Sequence, residues 1–115
     1  MRLPSRLRLK ASRDFAQVRE LGQSFPGRFV VLGVQKVADQ SHFQFGLITT
    51  RKLGHAVVRN RIRRLLREII REKQALFALD VRLVVIARWR AAEASLEDLQ
   101  SDLLKTARRA GVLKA

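Results

Sequence analysis

The chain contains no cysteine, only two prolines, and no apolar run close to the roughly 20 residues that a membrane-spanning helix needs. The lack of cysteine excludes disulfides, thiolate zinc sites and a thiol nucleophile. It also fits a reducing compartment, so we expect a cytoplasmic protein that contacts no membrane. No apolar stretch follows the basic N-terminus, so we expect no secretory signal.

Acidic side chains are scarce, because ten Asp and Glu stand against 24 Lys and Arg. Cleavage of a phosphodiester by protein groups usually needs carboxylates clustered around metal ions, or a paired general acid and base. The carboxylates here form no metal-ligand motif, and neither His42 nor His55 has a histidine or carboxylate at metal-binding helical spacing. The sequence therefore predicts no catalytic residue and no metal site in the chain alone. His55 is either a phosphate contact or an ordinary surface histidine.

Positive charge is concentrated in one segment. Residues 51–73 hold nine Lys or Arg and two Glu, a net of +7 within a chain total of +14. Such a density is costly unless a polyanion shares it, and arginine suits forked contact with phosphate. The arginines concerned are Arg51, Arg59, Arg61, Arg63, Arg64, Arg67 and Arg71. We therefore predict a nucleic-acid-binding surface.

Apolar residues recur through the same segment at helical spacing, with each residue advancing roughly 100°. One side collects Val58, Ile62, Leu65, Leu66, Ile69, Ile70 and Leu76. The far side collects Asn60, Arg63, Arg64, Arg67 and Arg71, with Arg61 near its edge. This pattern predicts a long amphipathic helix over about residues 57–78. Glu68 lies one turn from Arg64 and from Arg71, so we expect it to hold those guanidiniums in place.

A short helix is predicted near the N-terminus, with Ser12 as its N-cap and Gly22 as its end. Its core-facing residues are expected to be Phe15, Val18 and Leu21. Residues 25–27 read as a turn. Arg19 lies one turn after Phe15, so a ring and a guanidinium could form a stacking platform for single-stranded nucleic acid. The alternative for Phe15 is a place in the core.

Three further segments predict strands and a last helix. Residues 28–37 and 43–50 have strand patterns and are expected to pair as a hairpin. The apolar run Val81–Ala87 predicts a buried strand. A capping box at Ser95 predicts a helix to about residue 108, which Gly111 would stop.

Together these elements predict one domain, an α+β two-layer sandwich over residues 1–115. We expect its ends, residues 1–11 and 110–115, to be flexible. Within the basic helix, Asn60 is the odd member among arginines. It could read a base edge, a 2′-hydroxyl or a hydrated ion, or it could cap the first helical turn.

The stretch from Thr50 to Glu68 closely resembles the signature of the bacterial ribonuclease P protein family, with Arg59-Asn60-Arg61 opening an arginine-rich helix. Similarity extends upstream to Arg8 and Asp14-Phe15, through Phe45-Gly46-Leu47, and downstream to the apolar strand that begins at Val81. It therefore covers nearly the whole domain.

The resemblance implies a protein subunit that binds a catalytic RNA and the 5′ leader of precursor tRNA, assisting endonucleolytic removal of that leader. It implies Mg²⁺ held mainly by the RNA, and no obligate protein partner. It implies a fold similar to a ribosomal-protein domain: a four-stranded sheet with helices on one side and a left-handed β-α-β crossover. The surface for the RNA subunit would comprise Arg61, Arg63, Arg64, Arg67 and Arg71. The leader-binding cleft would comprise Phe15, Arg19, Thr50, Arg51, Lys52, Arg59 and Asn60, with Asn60 near an ion shared with the RNA.

Two positions depart from the family. Arg19 stands where some members have a second aromatic residue, and Leu32 stands where some have a tyrosine. We therefore expect weaker stacking on the leader and stronger contact with its phosphates.

Two other classes share the basic surface. A ribosomal protein or general RNA chaperone would use it without a role in cleavage. A DNA-binding regulator would place the helix of about residues 57–78 in the major groove.

Overall fold

The structure is a computed structural model that describes residues 7–9 and 11–114. Its helices are α1 (Ser12–Leu21), α2 (Ala56–Lys73) and α3 (Leu96–Ala110), and its strands are β1 (Gln23–Pro26), β2 (Val30–Lys36), β3 (Gln44–Ile48) and β4 (Val81–Ala87). The strands form one sheet in the order β1-β2-β4-β3. Only the β3–β4 pair is parallel, and α2 makes the crossover between these two strands. The predicted α+β class and four-stranded sheet are confirmed.

The predicted hairpin between residues 28–37 and 43–50 is wrong, because β4 lies between β2 and β3. Val85 of β4 faces Leu32 of β2 on one side and Leu47 of β3 on the other. β4 is the most apolar strand and is buried along most of its length, so the centre of the sheet suits it best.

The hairpin partner of β2 is β1, which we had read as a turn. Pro26 fits there because β1 is an edge strand, where a residue without a backbone N–H breaks no ladder. The turn itself follows the proline, and it is closed by the Gly27 N–H donating to the Val30 carbonyl at 2.7 Å.

The helices occupy both faces of the sheet, whereas the resemblance implied one side. α2 and α3 cover the face that carries Leu32, Leu83 and Val85, which form the main core with buried α2 and α3 residues. α1 lies on the other face, where Val18 packs on Val84 in a second cluster. Arg82 of β4 points to this second face and donates to Gln17 Oε1 of α1 at 3.0 Å.

α1 begins one residue earlier than expected, with Ala11 rather than Ser12 at the N-cap, and it ends at Gly22 as predicted. Val18 is buried and Phe15 is half-buried, but Leu21 is 68% exposed, which contradicts its predicted core position. The chain leaves the helix at Gly22 and enters the edge strand β1, so none of the described residues covers the Leu21 side chain.

α2 is amphipathic as predicted, but it ends at Lys73 and continues only as a 3-10 turn over Gln74–Leu76. Leu76, expected in the stripe, is therefore 46% exposed. Four residues of the stripe are fully buried: Ile62, Leu66, Ile69 and Ile70. Glu68 makes no ion pair among the described residues, and it is Glu72 that approaches Arg71, at 3.8 Å. The expected bracing by Glu68 is wrong.

α3 has the predicted capping box, formed by Ser95 and Asp98, and the predicted stop at Gly111, whose φ of 73° favours glycine. We had expected flexible ends. Leu7 and Leu9 are buried beside β3, and Val112 is buried after α3, while flexibility of the ends stays a prediction. The rest of that expectation, at residues 1–6, 10 and 115, lies outside the described residues. Across the described part of the chain, no helix combines the length and apolar character needed to cross a membrane.

Candidate nucleic-acid interface

The outer face of α2 is a cationic surface, because burial of its apolar stripe turns the arginines away from the core. Arg64 and Arg67 are exposed and make no hydrogen bond or ion pair with any other described residue. The one ion pair on this helix among the described residues is the weak Arg71–Glu72 contact. Positive charge of this density with so little internal compensation is suited to binding a polyanion.

Arg61, expected to contact the RNA subunit, has a second role that its position in the sequence did not reveal. Its guanidinium donates to the carbonyl oxygens of Ala92 and Ala94, at 3.4 and 3.2 Å. It thus braces the segment that joins β4 to α3. Two of its five N–H groups are used in this way, and the others remain available to a phosphate.

Replacing Arg61 with lysine is expected to lower the free energy of unfolding by about 1 kcal/mol, because an ammonium cannot fork to two carbonyls. Urea denaturation measures this change. Arg64→Lys is the matched control on the same helix, and it should leave the midpoint unchanged. Equal midpoints for the two variants would contradict the bracing role.

Asn60 lies in the second turn of α2, where its Oδ1 accepts from Arg63 Nη1 at 3.3 Å. Helix capping of the first turn is therefore excluded, since His55 holds the N-cap position. A guanidinium beside the amide oxygen also opposes a cation at that atom. The geometry makes Asn60 a positioning partner of Arg63, with its amide N–H groups facing solvent.

A groove of about 530 Å³ lies at the β3 edge and brings α1, β3 and α2 together. Phe15 rests on Gly46, where an added Cβ would lie 2.3 Å from Phe15 Cε1, so glycine is what allows the ring to lie on the strand. Arg63 and Arg67 reach the same groove from α2. Phe15 is half-buried, so its position lies between the two alternatives, a stacking platform and a place in the core. An aromatic ring beside two guanidiniums is the composition of a single-strand binding site.

The groove differs from the predicted leader-binding cleft. Arg63 and Arg67 were assigned to the RNA-subunit surface, and Arg19 does not line the groove. Five lining residues were not among the predicted site residues: Arg8, Leu9, Phe45, Gly46 and Leu47. Leu32 is fully buried on the α2 side of the sheet, so its departure from tyrosine has no bearing on this groove.

A second cavity, of about 490 Å³, lies at the N-terminus of α2 and joins Arg51 to Arg59, with His55 between them. Helix N-termini attract anions, and two arginines strengthen that preference. Thr50 and Lys52 are exposed beside it but do not line it. The seven residues predicted for the leader are thus divided between the Phe15 groove, this cavity and open surface.

Magnesium is implied by the resemblance as an ion of the RNA subunit. Within residues 7–9 and 11–114, no three His, Asp or Glu side chains come together in a way that could hold a metal ion. The described side chains therefore do not fit a metal site built by protein alone.

A mixed four-stranded sheet that carries a long helix with outward-facing arginines defines the class of this protein, a small α+β domain with a fixed cationic surface. The Ribonuclease P family model matches residues 3–111. The ribonuclease P protein components of Syntrophomonas wolfei and Lactococcus lactis are 35% and 39% identical over 111 and 104 residues. These alignments cover 96% and 90% of this chain, and 92% and 86% of the relatives.

Solved structures of ribonuclease P proteins have the same fold as this chain. The Staphylococcus aureus RNase P protein matches with a TM-score of 0.86 at 30% identity, covering 94% of this chain and 98% of that one. The Thermotoga maritima RNase P protein matches with a TM-score of 0.80 at 26% identity, covering 89% and 96%. This chain belongs to the ribonuclease P protein family. Membership implies tRNA processing within a ribonucleoprotein and hence an RNA partner, which favours this reading over a ribosomal protein, a chaperone or a DNA-binding regulator.

Proposed function

We propose that this chain binds the catalytic RNA subunit through the outer face of α2 and holds the 5′ leader of precursor tRNA at the Phe15 groove. It thereby assists endonucleolytic removal of the leader, with Mg²⁺ held mainly by the RNA. The proposal depends on one observation: Phe15, Arg63 and Arg67 line the same groove. The groove lies beside a helix whose arginines form one weak ion pair among the described residues.

The contribution of the chain is indirect. Its arginines neutralise phosphates, which lets RNA strands approach one another and raises the affinity of the RNA for Mg²⁺. Its groove contacts the leader, which is present in the precursor and absent from the product. Binding energy from the leader therefore favours precursor over mature tRNA. Proton transfer and bond cleavage take place on the RNA.

The Phe15 groove and the cavity at the N-terminus of α2 offer different kinds of contact to the leader. The Phe15 groove offers one ring for stacking and three guanidiniums for phosphates, those of Arg8, Arg63 and Arg67. Arg63 and Arg67 also belong to the α2 surface proposed for the RNA subunit. The cavity between Arg51 and Arg59 offers charge without an aromatic ring. Phe45, the other aromatic residue of the Phe15 groove, is buried, so Phe15 is the ring available for stacking, and affinity for the leader depends more on its phosphates than on base identity.

The test is reconstitution of leader cleavage at limiting Mg²⁺ with the RNA subunit, with and without the protein. We expect the protein to stimulate cleavage, and Arg59→Ala, Asn60→Ala and Arg61→Ala together to return the rate toward that of RNA alone. The matched control removes three exposed cations elsewhere, by Lys105→Ala, Arg108→Ala and Lys114→Ala, and should keep most of the stimulation. Absence of stimulation by the wild-type chain would refute the proposal, as would equal rates for the two triple variants.

A further inference from the structure

Trp89 is the one tryptophan of the chain, and a side chain of its size and apolar character is ordinarily largely buried. It is instead 63% exposed, at the start of a 3-10 turn, Trp89–Glu93, that follows β4 directly. The guanidinium carbon of Arg90 lies 5.4 Å from the centre of its ring. An indole this open to water forgoes a large gain from burial, which makes it a candidate contact residue.

The backbone around Trp89 is fixed on both sides. Before it, the Arg88 N–H donates to the Phe29 carbonyl at 2.9 Å, and the Arg88 guanidinium donates to the Gly27 carbonyl at 2.8 Å. After it, Ala91 is fully buried, and Arg61 holds the carbonyls of Ala92 and Ala94. The backbone that carries the ring is therefore held in place by these contacts, so less backbone entropy is lost when the ring binds a partner.

The 3-10 turn that carries Trp89 packs against α2 and against the neighbouring turn Arg51–Leu53. The ring thus stands at the border of the cationic surface, with Arg90 against it. Sites that bind unpaired nucleotides combine positive charge, which contacts the phosphate backbone, with an aromatic ring, on which a base stacks.

We propose that Trp89, oriented by Arg90, stacks on an unpaired base of the RNA subunit where that RNA crosses the start of α2. This inference rests on the proposed function and adds a base contact to a surface so far described only through charge. The RNA subunit is the partner rather than the leader, because Arg61, proposed to bind the RNA subunit, holds this turn by two hydrogen bonds. Of the two cavities proposed for the leader, the Phe15 groove lies at the β3 edge, and the Arg51–Arg59 cavity meets this turn through the turn Arg51–Leu53, so a leader oligonucleotide is tested separately. A protein partner fits less well, since the ring carries the Arg90 guanidinium on it and the neighbouring surface of α2 is strongly cationic.

Fluorescence tests the contact directly, because all indole emission of the chain comes from Trp89 and the chain contains no tyrosine. Adding the RNA subunit should quench this emission and protect it from acrylamide. A leader oligonucleotide alone should do neither, and dilution of the free protein should leave the emission unchanged. Quenching by the leader alone would overturn the assignment to the RNA subunit, and a change on dilution would indicate contact between two copies instead.

Affinity provides the second measurement, using labelled RNA subunit. Trp89→Ala should bind about tenfold more weakly, and Trp89→Phe, which keeps a ring, should stay within about threefold of wild type. Leu79→Ala is the matched control. It removes another exposed apolar side chain, 52% exposed, at the opposite end of β4, and should bind as wild type does.

The outcomes separate this inference from the function on which it rests. A wild-type chain that does not bind the RNA subunit would overturn both. The stacking contact alone would be overturned if the wild-type chain bound the RNA subunit without a change in Trp89 emission. It would also be overturned if Trp89→Ala bound the RNA subunit with the same affinity as wild type.

Discussion

Replacing Arg63, Arg64, Arg67 and Arg71 together with glutamine is expected to weaken binding of the RNA subunit by about three orders of magnitude at about 0.1 M salt. Each phosphate contact that releases a counterion contributes about 0.9 to the slope of log affinity against log salt. Loss of four contacts should therefore make that slope about 3.5 units shallower. Glutamine preserves helix propensity, so α2 should remain folded.

The measurement is a salt titration of RNA affinity for wild type and variant, with circular dichroism as a check of folding. The control changes four exposed cations away from α2 to glutamine, at Lys36, Lys105, Arg108 and Lys114. It carries the same net charge as the variant but should keep nearly the wild-type slope. If the two quadruple variants gave the same slope, the attraction would depend on overall charge and not on α2.

The sequence predicted α2 well because its signal is local. The apolar stripe follows the helical period, so burial of residues such as Ile62 and Leu66 leaves only one side for the arginines. The capping box at Ser95 and the stop at Gly111 are local signals too, and both were confirmed. Each of these predictions depends on residues within about one or two turns of one another.

The order of the strands depends on distant residues, and there the prediction failed. Proximity in sequence favoured a hairpin between β2 and β3. β4, which follows β3 by more than thirty residues, takes the place between them because its apolar side chains need cover on both faces. The position of α1 on the second face likewise depends on Val84 and Arg82, which no local pattern connects to it.

The sequence shows which surface residues are cationic, but it does not show which contact each of them makes. Helical spacing places Arg61 only at the edge of the arginine face, and it does not show that Arg61 braces a loop whereas Arg64 has no partner among the described residues. The difference lies in two carbonyls more than thirty residues away. Trp89 is exposed although a large apolar side chain is ordinarily buried, and the arginines on either side of it are the one local signal for that exposure. The groove at Phe15 needed the fold, because its walls come from three elements.

Replacing Asp102 with alanine is expected to lower the free energy of unfolding by about 3 kcal/mol or more. No motif in the sequence predicts this effect. Asp102 lies in α3, and its carboxylate accepts the backbone N–H groups of Arg28, Phe29 and Val30 at 2.9, 2.7 and 3.1 Å. These are the donors of the turn between β1 and β2. The alanine variant leaves all three unpaired, two of them partly buried, and unpaired buried donors cost about 1–3 kcal/mol each.

Thermal unfolding measures the effect, and a midpoint roughly 10–15 °C below wild type is expected for a domain of this size. Asp98→Ala is the matched control. It removes a carboxylate from the same helix but from the capping box, which costs about 1 kcal/mol. Asp102→Asn keeps one acceptor oxygen and should fall between the two. Gly27 packs so closely on Asp102 that an added Cβ would lie 2.7 Å from its Oδ2, so the turn sits directly against this carboxylate. Equal midpoints for Asp102→Ala and Asp98→Ala would mean that the turn is held by the β1–β2 ladder alone.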